Sequence, residues 1–338
     1  MSFYLEVDKT KFQEHLLGVK KGVENLIPVV KGTGYGFGLN YLAKEALRLG
    51  VEAVAAGTVY EAEKVAEDFT GKILILEPYD SRDLAASAIW ESFDKRFIRT
   101  VSNLDSKFDF NNPFVVEGRV STNRFGLRKD QIKEIDLNNN LIEGLALHLA
   151  INQSDDKKLK EILDWLEVWQ GVTPNKTVWL SHISKELLNK LKDLKPEFKF
   201  NLRIGTELWL GDKSFVSAKG VVLGIIEGVE RAGYSQKRLN SGKKIVVVSG
   251  GTANGVGLNS DITIKNSSDR LRVFLTGLLG SFGKYQSAFF LNGKKTYLFE
   301  PTHMNVSLIE VASKEKVAVG DVLLAQVRYS TCNFDFIK

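Results

Sequence analysis

In the stretch PVVKGTGYGFG, Pro28 to Gly38, an apolar run ends in one lysine, Lys31, and glycine then takes every second position at Gly32, Gly34, Gly36 and Gly38. An ammonium in a partly apolar setting has a lowered pKa and becomes a usable amine nucleophile. A Schiff base with an aldehyde cofactor needs such an amine. Glycines let loop backbone pack close beneath a flat ring, and Tyr35 can reach over toward a phosphate. Taken in isolation, the same residues also describe a lysine that snorkels ahead of a glycine-rich turn.

The elements that position Lys31 are legible over the first two-thirds of the chain. Strand-like runs cover 26–31, 51–57, 72–76, 96–101, 113–120, 142–150, 177–183 and 198–205. Amphipathic segments lie between most of them, among them LNYLAKEALRLG, VYEAEKVAED, DDKKLKEILDWLEVW and SKELLNKLKDL. The runs are nearly continuous in apolar residues, as parallel strands buried on both faces are. Eight such units predict an α/β fold with a closed (β/α)8 TIM-like barrel. In that fold reactive residues sit at the C-terminal ends of strands. This selects Lys31, Arg124, His148, Ser181, His182 and Arg203.

After residue 212 the rhythm changes. VVLGIIEGV, KKIVVVS, RLRVFLTG, SAFFLNGKK, TYLFE, VSLIEV and DVLLAQV follow one another without helical spacers. They predict a mostly antiparallel β domain. The expected division is 8–211 for the barrel and 212–338 for the β domain, with the N-terminal strand 1–7 joining the latter.

Composition narrows the chemistry. The chain has 338 residues, a net charge of +5, four histidines and one cysteine. Cys332 alone excludes an internal disulfide and a cysteine-rich metal cluster. Neither HExxH nor HxC occurs, so no metal site is expected. Basic residues are dispersed among acids, which argues against a nucleic-acid partner. The charged N-terminal residues carry no signal peptide or membrane span, so a cytoplasmic protein without membrane association is expected.

KGTGYGFG resembles the cofactor-lysine motif of alanine racemases, barrel enzymes that use pyridoxal 5'-phosphate (PLP). Further segments resemble that family in the same order. STNRFGLR (121–128) is similar to the segment whose arginine holds the substrate carboxylate, which implies Arg124. GLALHLA (144–150) resembles the strand bearing a supporting histidine, here His148. NLRIGTELWLG (201–211) is similar to the segment whose arginine bonds the pyridine nitrogen and whose next amides hold the phosphate. It implies Arg203, Gly205 and Thr206. Ser181 matches a phosphate-contacting serine more loosely. EPTHMNVSLIEV (300–311) resembles a segment that the family's dimer places in the partner's active site, which implies Met304 as a substrate contact.

The resemblance breaks at the second base. A racemase of this kind uses the lysine and, from the partner subunit, a tyrosine in a GYADG-type segment. Here GGTANG (250–255) aligns with that segment, which puts Thr252 at the tyrosine position. A threonine hydroxyl has no accessible pKa for that role. Tyr234, in AGYSQ, looks like the counterpart of an earlier GYG-type tyrosine and stands as the other candidate. Glu117 falls where relatives often carry a carbamylated lysine, as a substitute partner for Arg124. Phe334 replaces a tyrosine that touches the phosphate. The resemblance implies a homodimeric PLP-dependent isomerase, an amino-acid racemase or epimerase acting on a small-molecule amino acid or a larger molecule containing one. A one-base PLP enzyme (decarboxylase, aldolase or lyase) and a non-catalytic PLP-binding protein remain open.

Overall fold

The computed structural model describes residues 2–91, 94–104, 112–135, 137, 140–258, 266–281, 283 and 285–338. The chain forms two compact units: Thr10–Asp212, and Met1–Lys9 together with Lys213–Lys338.

Strand β1 (Phe3–Val7) opens the chain and belongs to the second unit. The first unit is a closed barrel of eight strands: β2 (Leu26–Val30), β3 (Ala53–Ala56), β4 (Lys72–Pro78), β5 (Phe97–Val101), β6 (Phe114–Gly118), β7 (Ile142–His148), β8 (Thr177–Ser181) and β9 (Lys199–Ile204). Every pairing is parallel, and β9 closes on β2 with Leu26 opposite Leu202. All eight runs read from the sequence are present. Strands β2, β3, β5 and β6 are buried at every residue, which explains their unbroken apolar character. The small Ala53, Ala55 and Ala146 share one buried cluster with Trp179. The Trp179 indole donates to the Glu143 carbonyl at 2.8 Å, so its one polar atom is satisfied.

Around the strands run α1 (Lys9–Lys21), α2 (Leu39–Arg48), α3 (Val59–Ala66), α4 (Ser87–Trp90), α5 (Asp155–Gln170), α6 (Lys185–Leu194) and α7 (Thr206–Leu210). Local chemistry sets their starts. Thr58 and Glu61 form a reciprocal capping box on α3, and the Ser184 hydroxyl caps α6 by accepting from Leu187 N.

The second unit is antiparallel throughout its main sheet. Its strands are β10 (Val216–Ile226), β11 (Arg231–Ala232), β12 (Lys237–Arg238), β13 (Lys243–Ser249), β14 (Gln286–Leu291), β15 (Lys294–Leu298), β16 (Val306–Ala312) and β17 (Val322–Ala325). The order is β1-β10-β13-β16-β15-β14-β17, and β17 pairs back onto β10. The N-terminal strand joins this sheet as expected, with Phe3 opposite Gly220. Its core gathers Phe3, Val222, Val246, Phe289, Ile309 and Leu323.

One segment departs from the sequence reading. RLRVFLTG (270–277) lies in a helix, α8 (Ser267–Ser281), not a strand. Asn266 caps it, its side-chain oxygen accepting from Asp269 N at 2.9 Å. Leu271, Phe274, Leu275 and Leu278 repeat at helical spacing, which the local alternation of RLRV hides. No helix among the described residues is long and apolar enough to cross a membrane.

Candidate active site

Lys31 follows directly on the C-terminal end of β2. Its side chain is only partly open to solvent, and its amine takes no hydrogen-bond or ion-pair partner among the described residues. Partial burial of the amine, then repulsion from Arg124, hold its pKa below the ordinary lysine value; Arg203 adds to this and Glu61 opposes it. The glycines after it all adopt positive φ, at 62°, 62°, 93° and 82°. Their alternation is first of all a requirement of this turn. Tyr35 shares the left-handed conformation, at φ 54°.

Glu61 ties the lysine loop to the barrel. One carboxylate oxygen accepts from Gly32 N at 2.9 Å, and the other from Gly57 N at 2.8 Å. The sequence reading did not assign it a role, although the TVYE capping pattern at 58–61 marks it.

Arg203 is buried near the end of β9. It donates to the carbonyls of Leu147 at 3.0 Å and Trp179 at 3.3 Å. Burial pushes it down to about 10, with Glu117 pulling the other way, so it stays charged at neutral pH. His148, ending β7, shares a 2.8 Å hydrogen bond between Nδ1 and the Ser181 hydroxyl. Burial and then the Arg203 charge lower it to about 3, so its imidazole is neutral. His182 packs edge-on to His148, ring centroids 5.0 Å apart, with its own φ at 58°. The buried Lys158 of α5 donates to the His182 carbonyl at 2.6 Å and holds that turn. Lys158 has helical spacing in the sequence and no motif to single it out.

Arg124 is exposed and lies over the Phe125 ring, with no acidic partner among the described residues. The expected pairing with Glu117 does not form. Glu117 is buried, and its Oε2 accepts no hydrogen bond. Burial raises its pKa, and Arg203 and Arg124 only partly offset that. A cavity of about 370 Å3 opens beside these groups, lined by Thr122, Arg124, His148, Ile151, Asn152 and His182. No acid lines it.

At the end of β9, Gly205 leads into α7, which Thr206 opens. A Cβ on Gly205 would lie 2.3 Å from the Tyr35 hydroxyl, so only glycine lets that phenol reach this point. The Trp209 indole donates to the Val29 carbonyl at 2.8 Å and ties α7 to β2. Gly205→Ala is expected to displace the Tyr35 hydroxyl and weaken PLP retention roughly tenfold, about 1.4 kcal/mol. An absorbance titration with PLP that shows unchanged affinity would remove Tyr35 and Gly205 from the cofactor site.

The remaining predicted residues lie in the β unit. Thr252 begins a short turn, its N–H donating to the His303 carbonyl at 2.9 Å. The next amide, Ala253 N, donates to the Met304 carbonyl at 2.9 Å. Tyr234 is 87% exposed and stacks on His303 at 4.4 Å. Met304 is exposed. Thr252, Tyr234 and Met304 therefore share one loop cluster, with His303 at its centre. Phe334 packs elsewhere in this unit, stacked on Phe3 at 5.0 Å.

The first unit is thus a closed parallel barrel with Lys31 at the end of its first strand, and an antiparallel β unit follows it in sequence. The family model "Alanine racemase, N-terminal domain" matches residues 7–191, and the chain belongs to that family. It is 25% identical over 219 residues to "Alanine racemase 2" of Caldanaerobacter subterraneus subsp. tengcongensis, covering 52% of this chain and 56% of that protein. The chain thus spans about half the length of that relative in the match. Alanine racemase from Bacillus anthracis, solved with bound L-Ala-P, superposes with a TM-score of 0.68 at 18% identity, over 98% of this chain and 92% of that one. Alanine racemase from E. faecalis gives 0.67 at 18% identity, over 99% and 97%. These structures share the fold.

Proposed function

We propose that the chain is a PLP-dependent amino-acid racemase or epimerase that works as a homodimer in the cytoplasm. The observation that carries this reading is the charge balance at the barrel mouth. Lys31 and Arg124 form no ion pair with an acid among the described residues, although Glu61 lies near enough to Lys31 to oppose the lowering of its pKa, and Arg203 is held by carbonyls. The nearby buried acid, Glu117, is pushed toward its neutral form. Such a site suits a phosphate and a carboxylate together. The Tyr35 hydroxyl packs against Gly205 where β9 leads into α7, and a hydroxyl beside glycine backbone suits a phosphate, so these residues fit PLP.

PLP, when bound, supplies the electron withdrawal that loosens the Cα–H bond of an amino acid. Lys31 is the attachment point, and its lowered pKa keeps an amine available to carry a proton on one face. Arg124, with a planar fork free of other partners, takes the substrate carboxylate. Arg203 stays charged and would hold the pyridine nitrogen of a bound PLP unprotonated, because two cations cannot share one hydrogen bond. That weaker electron sink would favour return of a proton to Cα over transamination. Ser181, His148, Gly205 and Thr206 complete the cofactor contacts, and Met304 of a second copy contacts the substrate.

Incubating the PLP-loaded protein with L-alanine in deuterated water tests this. Deuterated D-alanine is the expected product. Thr252 in place of a tyrosine favours a one-base enzyme as the second reading, and that enzyme would give deuterated L-alanine only. No exchange with alanine or a wider panel of amino acids would leave a carrier protein.

A further inference from the structure

Glu300 follows β15 and is 5% exposed. Its carboxylate accepts from Tyr234 N at 3.1 Å, Ser235 N at 3.2 Å, the Ser235 hydroxyl at 2.8 Å and His303 Nε2 at 2.7 Å. Gly233, at φ 74°, makes this possible, because a Cβ there would lie 2.2 Å from the carboxylate. Burial raises the Glu300 pKa, but these donors outweigh it and hold the group below its ordinary value. Glu300 is therefore ionised at neutral pH and can only accept. Nε2 of His303 therefore donates to it, and in the neutral imidazole Nδ1 carries the lone pair and has no hydrogen-bond partner among the described residues. The imidazole is 18% exposed, flanked on one face by the Tyr234 ring. Its carbonyl accepts from Thr252 N, so it hangs on the same loop pair as the threonine that cannot act as a base.

We propose that His303, oriented by Glu300, is the second proton carrier of the reaction, serving the face of Cα opposite Lys31. The proposal rests on the racemase reading and on a second copy presenting this loop. In one direction His303 Nδ1 takes the proton as the Cα–H bond breaks, and the Lys31 ammonium delivers another to the opposite face, forming the new C–H bond. In the other direction the two groups exchange roles, and solvent returns each to its starting state. An imidazole with an anchoring carboxylate is suited to both halves of this exchange. Glu300 is a positioning residue. If it served only to close the Gly233–Ser235 turn, the His303 side chain would be dispensable.

Two measurements test the assignment. On the PLP-loaded wild type, 15N spectra of the histidine side chains should show the neutral form of His303 as the Nε2–H tautomer. An Nδ1–H tautomer would aim the lone pair at Glu300 and overturn the proposal without reference to turnover. His303→Gln is then assayed in deuterated water with L-alanine and D-alanine separately, cofactor absorbance confirming that PLP is retained. Interconversion should fall by about 10²–10⁴-fold. Deuterium should still enter one enantiomer with retention, through Lys31. Unchanged interconversion overturns the assignment alone. Loss of exchange with both enantiomers also overturns it, since the Lys31 face should survive. A wild type that exchanges neither enantiomer removes the racemase reading and this assignment together.

Discussion

Lys31→Ala protein is expected to carry no covalently held PLP and to lose at least about 10⁴-fold in Cα-proton exchange with alanine. Removing a positioned general base alone costs about 10²–10⁴-fold, and this substitution also removes the point of attachment. The fold should not suffer. The Lys31 side chain is partly open and makes no hydrogen bond among the described residues, so its loss should change stability by less than about 0.5 kcal/mol. Lys158, the buried ammonium closest in role, is committed to the His182 carbonyl. Borohydride reduction of the PLP-loaded wild type should label Lys31 alone, as read by peptide mass mapping. A label on any other lysine would move the active site away from the end of β2.

The barrel was legible because each strand announces itself. A parallel strand buried on both faces must be apolar at nearly every position, and that pattern survives in eight separate runs. The placement of ionisable residues at the barrel mouth was legible for a related reason: a charged or titratable residue closing such a run, as Lys31, His148 and Arg203 do, contradicts its surroundings. Residues that support these groups carry no such contrast. Lys158 lies on a helix with ordinary polar spacing, and only the folded chain brings it to the β8–α6 turn. Glu300 and His303 are three residues apart, but the orientation of the Glu300 carboxylate depends on the amides of Tyr234 and Ser235 far back in the sequence. Glu117 was placed correctly near Arg124 yet read as its ion-pair partner. Burial decides otherwise, because a carboxyl short of hydrogen bonds moves toward its neutral form. The α8 segment was misread because alternation over four residues imitates a strand, while the Asn266 cap that commits it to a helix lies upstream of the apolar run.

Acid should destabilise the cofactor-free protein through His148. The folded-state pKa is about 3 against an ordinary 6.5. Between those values the unfolded chain takes up a proton that the folded chain refuses. The unfolded state therefore binds more protons, and stability falls as pH drops through this window. His182 is lowered for the same first reason, burial, and acts in the same direction. After discounting for the partly open ring, the His148 contribution is roughly 2–3 kcal/mol. His148→Gln keeps an acceptor for the Ser181 hydroxyl but cannot titrate. Its urea midpoint should fall less between pH 6.5 and 4 than that of the wild type. Parallel curves would mean that water reaches the ring and that its pKa is close to ordinary. Bound PLP sharpens the test. Burial is the largest cause of the His148 shift, but the charges of Arg203, Arg124 and Lys31 also contribute. A bound phosphate offsets part of that positive field and makes the imidazole easier to protonate. The loaded protein should therefore lose less stability over the same pH range than the cofactor-free protein. If loading leaves the slope unchanged, the phosphate does not sit close enough to weaken the field that His148 feels.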